Sequence, residues 1–132
     1  MIRVLLVDDS SETLEVLSIM YRDTGACRVM GLVQTAEEAL AVLAEQRVDL
    51  VSIDIRLRGA CGLQLCREVR RRHPEAFLVV CSMEGDVVVA NAARAAGADV
   101  FVSKPLSGFD VAAVVQAYRN WVRRDEMGRR TR

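Results

Sequence analysis

Apolar residues gather in five short runs, at positions 2–7, 28–33, 49–53, 77–81 and 99–102. Each run is rich in β-branched or other apolar side chains and reads as a strand. Several are almost continuously apolar, the pattern of strands covered on both faces. Between the runs the apolar positions fall at helical spacing. Leu14, Leu17 and Tyr21 form one stripe, with Val16 and Met20 beside it, and Gly25 suits the stop that follows. Thr35 with Glu38 three residues on is a capping-box pattern leading into Ala39, Leu40 and Leu43. A third helix runs from about Leu63 through Cys66 and Val69 to the break at His73-Pro74. A fourth, from about Asp86 to Ala96, is nearly all Val and Ala and ends at Gly97. The fifth opens at Ser107 with Asp110 and carries Val111, Val114, Val115, Tyr118 and Val122; past Trp121 its pattern decays into a charged stretch that reads as a frayed end.

Strict alternation of strand and helix predicts a doubly wound α/β domain, because a parallel sheet needs a helix to return the chain at each right-handed crossover. No repeat, low-complexity tract or linker interrupts it. One domain is expected over residues 1–122, followed by a basic C-terminal tail or linker stub at 123–132.

Composition narrows the function classes. With 52% hydrophobic and 27% charged residues in 132, the chain can bury one core. Lys plus Arg and Asp plus Glu each number 18, so no basic field invites direct nucleic-acid binding or an anionic membrane. The N-terminus turns acidic at Asp8-Asp9, too early for a signal peptide, and no apolar stretch reaches spanning length. A soluble, cytoplasmic protein is expected. Cys27, Cys61, Cys66 and Cys81 form no C-x-x-C pair, and His73 is the single histidine, so no structural zinc site is expected. The thiols read as free and inert.

In open parallel sheets ligands bind outside the carboxyl ends of the strands. Those ends carry Asp8-Asp9 after the first strand, Asp54 after the third, Ser82 after the fourth and Ser103-Lys104-Pro105 after the fifth. Three carboxylates, a hydroxyl and an ammonium therefore converge on one rim. Carboxylates this close repel by roughly 4 kcal/mol per pair at about 4 Å and an effective dielectric near 20, so a cation must hold them together. An all-oxygen, partly open site suits Mg²⁺, which retains waters and recruits phosphate oxygens. Asp54, ionised at neutral pH, could then attack phosphorus without a general base, while Lys104 and Ser82 share the phosphoryl charge. Lys104 is the single lysine among the 18 basic residues, leaving 17 arginines. A compact ammonium on a flexible stem follows a phosphoryl group where a planar fork would not fit.

This ordered set resembles the receiver domain of two-component response regulators, with the fold of the chemotaxis response regulator. The resemblance covers about 1–121 and rests on Asp8-Asp9, Asp54, Gly62 eight residues beyond it, Ser82, the Ala96-Gly97-Ala98 turn, Phe101 and Lys104-Pro105. It implies a flavodoxin-like five-stranded sheet of order 2-1-3-4-5 with five helices. It implies that Asp54 is the phosphoacceptor and that Mg²⁺ is held by Asp9, by Asp54, by Asp8 through water and by the backbone carbonyl of Arg56. Ser82 and Lys104 would contact the phosphate, and Ser82 and Phe101 would act as the switch pair. The donor implied is a phosphohistidine on a sensor histidine kinase or phosphotransfer protein. The recipient of the signal would be a downstream target protein or an output domain, read through the surface of helix four, strand five and helix five. A phosphorylation-dependent dimer is a further form open to such a chain.

The chain departs from the family pattern at three places. Arg58 stands at the fourth position after the acceptor, where proline is usual, which predicts a more mobile loop before Gly62. Met83 follows Ser82, where a small residue is usual, and a long thioether there should narrow access for small donors and water. Arg56 and Glu84 each lie two residues beyond a site residue and are placed to pair across the pocket mouth.

Other readings compete. Asp8 and Asp9 would also serve as helix caps, although Ser10 or Ser11 could do that. Phe101 alone reads as core, the Val/Ala helix as close packing, and Arg67, Arg70, Arg71 and Arg72 as a solvated helix face. An aspartyl-phosphate phosphatase of the haloacid-dehalogenase type also uses a nucleophilic Asp and Mg²⁺, but its D-x-D stands on strand one. A flavodoxin-type carrier would need a phosphate-binding loop after strand one.

Overall fold

The computed structural model describes residues 1–83 and 85–130. Strand β1 (Ile2–Val7) sets the architecture, since its alternate residues enter two different cores. It pairs in parallel with β2 (Cys27–Val33) on one side and β3 (Leu50–Asp54) on the other. Strand β4 (Phe77–Ser82) adds to β3 and β5 (Val100–Ser103) adds to β4, giving a parallel sheet of order β2-β1-β3-β4-β5. This is the doubly wound architecture expected from the alternation, in the flavodoxin-like strand order that the resemblance implies.

Helices α1 (Ser11–Asp23) and α5 (Gly108–Arg130) cover one face. There Val4 and Leu6 of the sheet meet Leu14, Leu17 and Tyr21 of α1 and Val111, Val114 and Val115 of α5. The other face carries α2 (Ala36–Glu45), α3 (Gly62–Arg72) and α4 (Val87–Ala95). Leu5 and Val7 pack there against Ala39, Leu43, Leu65, Val69 and Ala93. β1, β3 and β4 are buried almost throughout, which explains their unbroken apolar composition. The caps follow the sequence signals. The Thr35 hydroxyl accepts from the Glu38 N–H at 3.2 Å and donates to Glu38 Oε1 at 3.0 Å. Gly25 closes α1 at φ +72°, a left-handed conformation that favours glycine.

Two elements differ from the expectation. The charged stretch after Trp121 does not fray: α5 runs to Arg130. Its residues are good helix formers with nothing to break the helix until Gly128, and Trp121 anchors the extension by packing on Phe77, with ring centroids 5.4 Å apart. The segment after Asp54, read from the sequence as a loop, closes as a hairpin of two-residue strands, Arg56–Leu57 against Ala60–Cys61, turning at Gly59 with φ +71°.

Candidate functional site

The site begins with the cap of α1. Ser10 takes the N-cap position and its hydroxyl accepts from the Thr13 N–H at 3.2 Å, so the two acids before it are not needed as caps. Asp8, 1% exposed, is oriented by the Ser10 N–H, which donates to its Oδ1 at 2.9 Å. Asp54, the last residue of β3 and 7% exposed, enters from the neighbouring strand. Lys104, just past β5, spans both: its Nζ lies 2.5 Å from Asp8 Oδ2 and 3.1 Å from Asp54 Oδ2. Asp9 stands more open, and one carboxylate oxygen from each of Asp8, Asp9 and Asp54 lies within 4.8 Å of the others.

One ammonium cannot neutralise three carboxylates. Burial pushes the Asp54 carboxyl above the ordinary carboxylate range and the neighbouring Asp8 charge pushes it further, with Lys104 compensating only in part. Burial alone would pull Lys104 down, but its bond to Asp8 and the charges of both carboxylates outweigh that and raise it. The lysine therefore stays charged while the pocket keeps an excess of negative charge. A hard divalent cation would remove that excess, and the donors on offer are all oxygen.

These groups line a cleft of about 510 Å³. Arg56 and Met83 stand on its walls, Met83 68% exposed, and the cleft continues over Val16 and Leu17 of α1 to Pro105 and Leu106. That apolar end was not expected from the sequence, although Val16 beside the buried stripe was the trace of it. The Lys104-Pro105 peptide is cis.

The chain matches the response regulator receiver domain model over residues 4–116. It belongs to that family. The receiver is 34% identical over 118 residues to a protein-glutamate methylesterase/protein-glutamine glutaminase of Paramagnetospirillum magneticum, covering 85% of this chain and 34% of that protein. It is 31% identical to the response regulator GacA of Pseudomonas viridiflava, covering 90% of this chain and 54% of the relative. The chain thus spans about a third to a half of the curated relatives it matches. Among solved structures, NtrX from Brucella abortus superposes with a TM-score of 0.87 at 27% identity, over 96% of this chain and 29% of that one. The BeF3-activated DrrB receiver domain superposes with a TM-score of 0.80 at 25% identity, over 91% of this chain and 98% of that one.

Within this receiver the structure gathers Asp8, Asp9, Asp54, Lys104, Arg56 and Met83 at one cleft and sets Ser82 and Phe101 outside its lining. Ser82 is buried at the end of β4, where its carbonyl accepts from the Lys104 N–H at 2.8 Å. Phe101 is half-buried on β5, paired in register with Val80 and packed against the α2–α4 face. Glu84 lies outside the described residues. Cys66 and Cys81 are buried, and burial pushes both thiols up to about 11, so they stay protonated at neutral pH. All four cysteines are free. Asp8, Asp9 and Asp54 form the one candidate metal-binding cluster found among the described residues, and no helix there is long and apolar enough to cross a membrane.

Proposed function

We propose that this receiver is a phosphorylatable switch in which Asp54 is the phosphoacceptor. The observation that carries the reading is the bridge from Lys104 to Asp8 and Asp54: two buried carboxylates and one ammonium are held together at the carboxyl ends of β1, β3 and β5. An Asp54 carboxylate oxygen attacks the phosphorus of a phosphohistidine on a histidine kinase or phosphotransfer protein. The P–N bond breaks as the P–O bond forms, and the donor imidazole keeps the electron pair. The product is an acyl phosphate on Asp54. Lys104, already at hydrogen-bond distance, neutralises part of the phosphoryl charge.

Asp8, Asp9 and Asp54 fit Mg²⁺ by donor chemistry and by their unbalanced charge; the backbone carbonyl of Arg56 would be a further ligand. Bound there, Mg²⁺ would supply charge neutralisation to the transferring phosphoryl oxygens. Ser82, one strand away and tied to Lys104 through the backbone, is drawn towards the new anion and Phe101 follows. The α4, β5 and α5 surface thereby changes for a target protein, an output domain or a second copy of the chain. Supporting this is the BeF3-activated state of the similar DrrB receiver. The chain acts as a regulatory domain of the cytoplasm, its domain ending near residue 122.

Incubation with a phosphorylated histidine donor and Mg²⁺ tests the reading. Expected is a hydroxylamine-labile label on the wild-type protein that chelation of Mg²⁺ abolishes and Asp54→Asn removes. Label retained at the same level on Asp54→Asn overturns it.

A further inference from the structure

Arg70, on the last turns of α3, is the most heavily bonded side chain outside the acidic site among the described residues. A guanidinium has five N–H donors, and here all five are engaged. Nη1 donates to the carbonyls of Pro74 and Ala76, both at 2.9 Å. Nε and Nη2 donate to the Gly97 carbonyl at 3.1 and 2.8 Å, and Nη2 also to Asp99 Oδ2 at 2.7 Å. The same Asp99 oxygen accepts from the Leu78 N–H at 2.8 Å. One side chain thus joins the end of α3, the turn into β4 and the turn that links α4 to β5.

The α4 side of this joint is built to receive it. Gly97 has φ +110°, and a Cβ there would lie 2.9 Å from Arg70 Cγ. Ala93 and Ala96 beside it are buried. Among the described residues the opposite end of α4 has no such anchor: Val87 and Val88 are 73% and 76% exposed, and the Asp86 side chain holds that end by accepting from the Val89 N–H at 2.8 Å. The Asp86 end lies on the side of α4 that follows Ser82 in the chain. Three of the five bonds reach the turn that ends α4, and the other two tie the same guanidinium to the turn before β4; a helix held in this way at one end and by a solvent-exposed cap at the other tilts more easily than it slides.

We propose that Arg70 is a positioning residue that pins the Gly97 end of α4, making it the fixed end of a lever whose mobile end carries Val87 and Val88. The proposal rests on the switch reading of Asp54 for what drives the lever, and on the Arg70 joint alone for where the lever is fixed.

Amide hydrogen exchange on the full chain tests it, comparing Ala90, which donates to Asp86, with Ala98, which donates to Ala93. In the metal-free wild type Ala98 is expected to exchange about a hundredfold more slowly than Ala90. Arg70→Met, which keeps an apolar stem and removes every donor, is expected to shrink that ratio to within about threefold, with β1 amides unchanged. Arg70→Lys, the milder change, is expected to fall between them and serves if the methionine variant does not fold. A ratio near one in the wild type, or an unchanged ratio in both variants, overturns the pin. With Mg²⁺ and beryllofluoride as phosphoryl mimic, shift changes along α4 should decline from Val87 to Gly97 in the wild type and reach Asp99 in the variant. Absence of any response to the mimic anywhere in the chain would defeat the Asp54 reading, whereas a response of equal size along α4 would defeat the pin.

Discussion

Gly62 is pressed against the backbone of Asp54: a Cβ at Gly62 would lie 2.0 Å from the Asp54 carbonyl oxygen and 2.8 Å from its carbonyl carbon. The Gly62 N–H donates to the Ile55 carbonyl at 2.6 Å, so the hairpin after β3 returns onto the strand end and fixes the height at which the Asp54 side chain enters the cleft. The atoms opposed are backbone and cannot rotate away. Gly62→Ala is expected to displace the hairpin, lower stability by about 1–3 kcal/mol as overpacking does, and slow labelling of Asp54 at least about tenfold. Urea unfolding and the labelling rate check it.

Asp54 sets a pH dependence with a definite sign. Its carboxyl is raised by burial first and by Asp8 second, so the folded protein holds this proton more tightly than the unfolded chain does. Its contribution to stability is full below the unfolded value, about 3.9, and is lost as pH rises through the raised folded value. Metal-free Asp54→Asn should lack that loss and melt higher than wild type at pH 7. Saturating Mg²⁺ should narrow the gap by stabilising the wild type more. Melting curves from pH 4 to 8, with and without Mg²⁺, give the comparison.

Lys104 is 10% exposed in its side chain and faces carboxylates that are 2% and 8% exposed. Lys104→Met leaves both unpaired in a buried place, which costs about 3–5 kcal/mol. The deficit should shrink when Mg²⁺ is added, because the cation takes over part of the neutralisation. Because the folded value of Lys104 is raised, its stabilising contribution is present below the unfolded value near 10.4 and disappears as pH climbs through the folded one. Denaturant titrations at pH 7 and above pH 10 would separate the two effects; equal stability of variant and wild type at pH 7 would refute the first.

Met83 extends from the end of β4 onto the wall of the cleft. Shortening it in Met83→Ala should admit small acyl-phosphate donors more readily, with phosphorylation rising several-fold, on the order of 1 kcal/mol of barrier, while transfer from a protein donor changes less. Rates measured with both donors decide it, and an unchanged small-donor rate contradicts the role given to the thioether.

Much of the fold was legible because local signals agree with the global arrangement. The strand ends at Val7 and Val33, the caps at Thr35 and Ser107 and the start of α4 at Asp86 follow from neighbours within four residues. The hairpin after Asp54 was not legible, since strands of two residues are too short to show alternation. The helical course of 123–130 was hidden because its charges look like a tail, while the anchor that continues it, Trp121 on Phe77, joins residues far apart in sequence. By sequence, Arg70 belongs with Arg67, Arg71 and Arg72 to one solvated face. Arg71 and Arg72 do pair locally with Glu68, at 2.6 and 2.5 Å, but Arg70 turns inward, to the Gly97 carbonyl 27 positions away as well as to the nearby carbonyls of Pro74 and Ala76.

By itself the order of apolar and polar residues determined a parallel sheet with polar groups at its carboxyl ends, because periodicity and capping act over a few residues. Only the tertiary structure decided that Lys104 bridges Asp8 and Asp54, that Gly62 seats the hairpin on the Asp54 backbone, and that one arginine of four holds α4 by its end. The lysine and arginine contacts join segments tens of residues apart, and the Gly62 contact, only eight residues long, needs the hairpin to close; their geometry comes from how the elements pack, which no local pattern encodes.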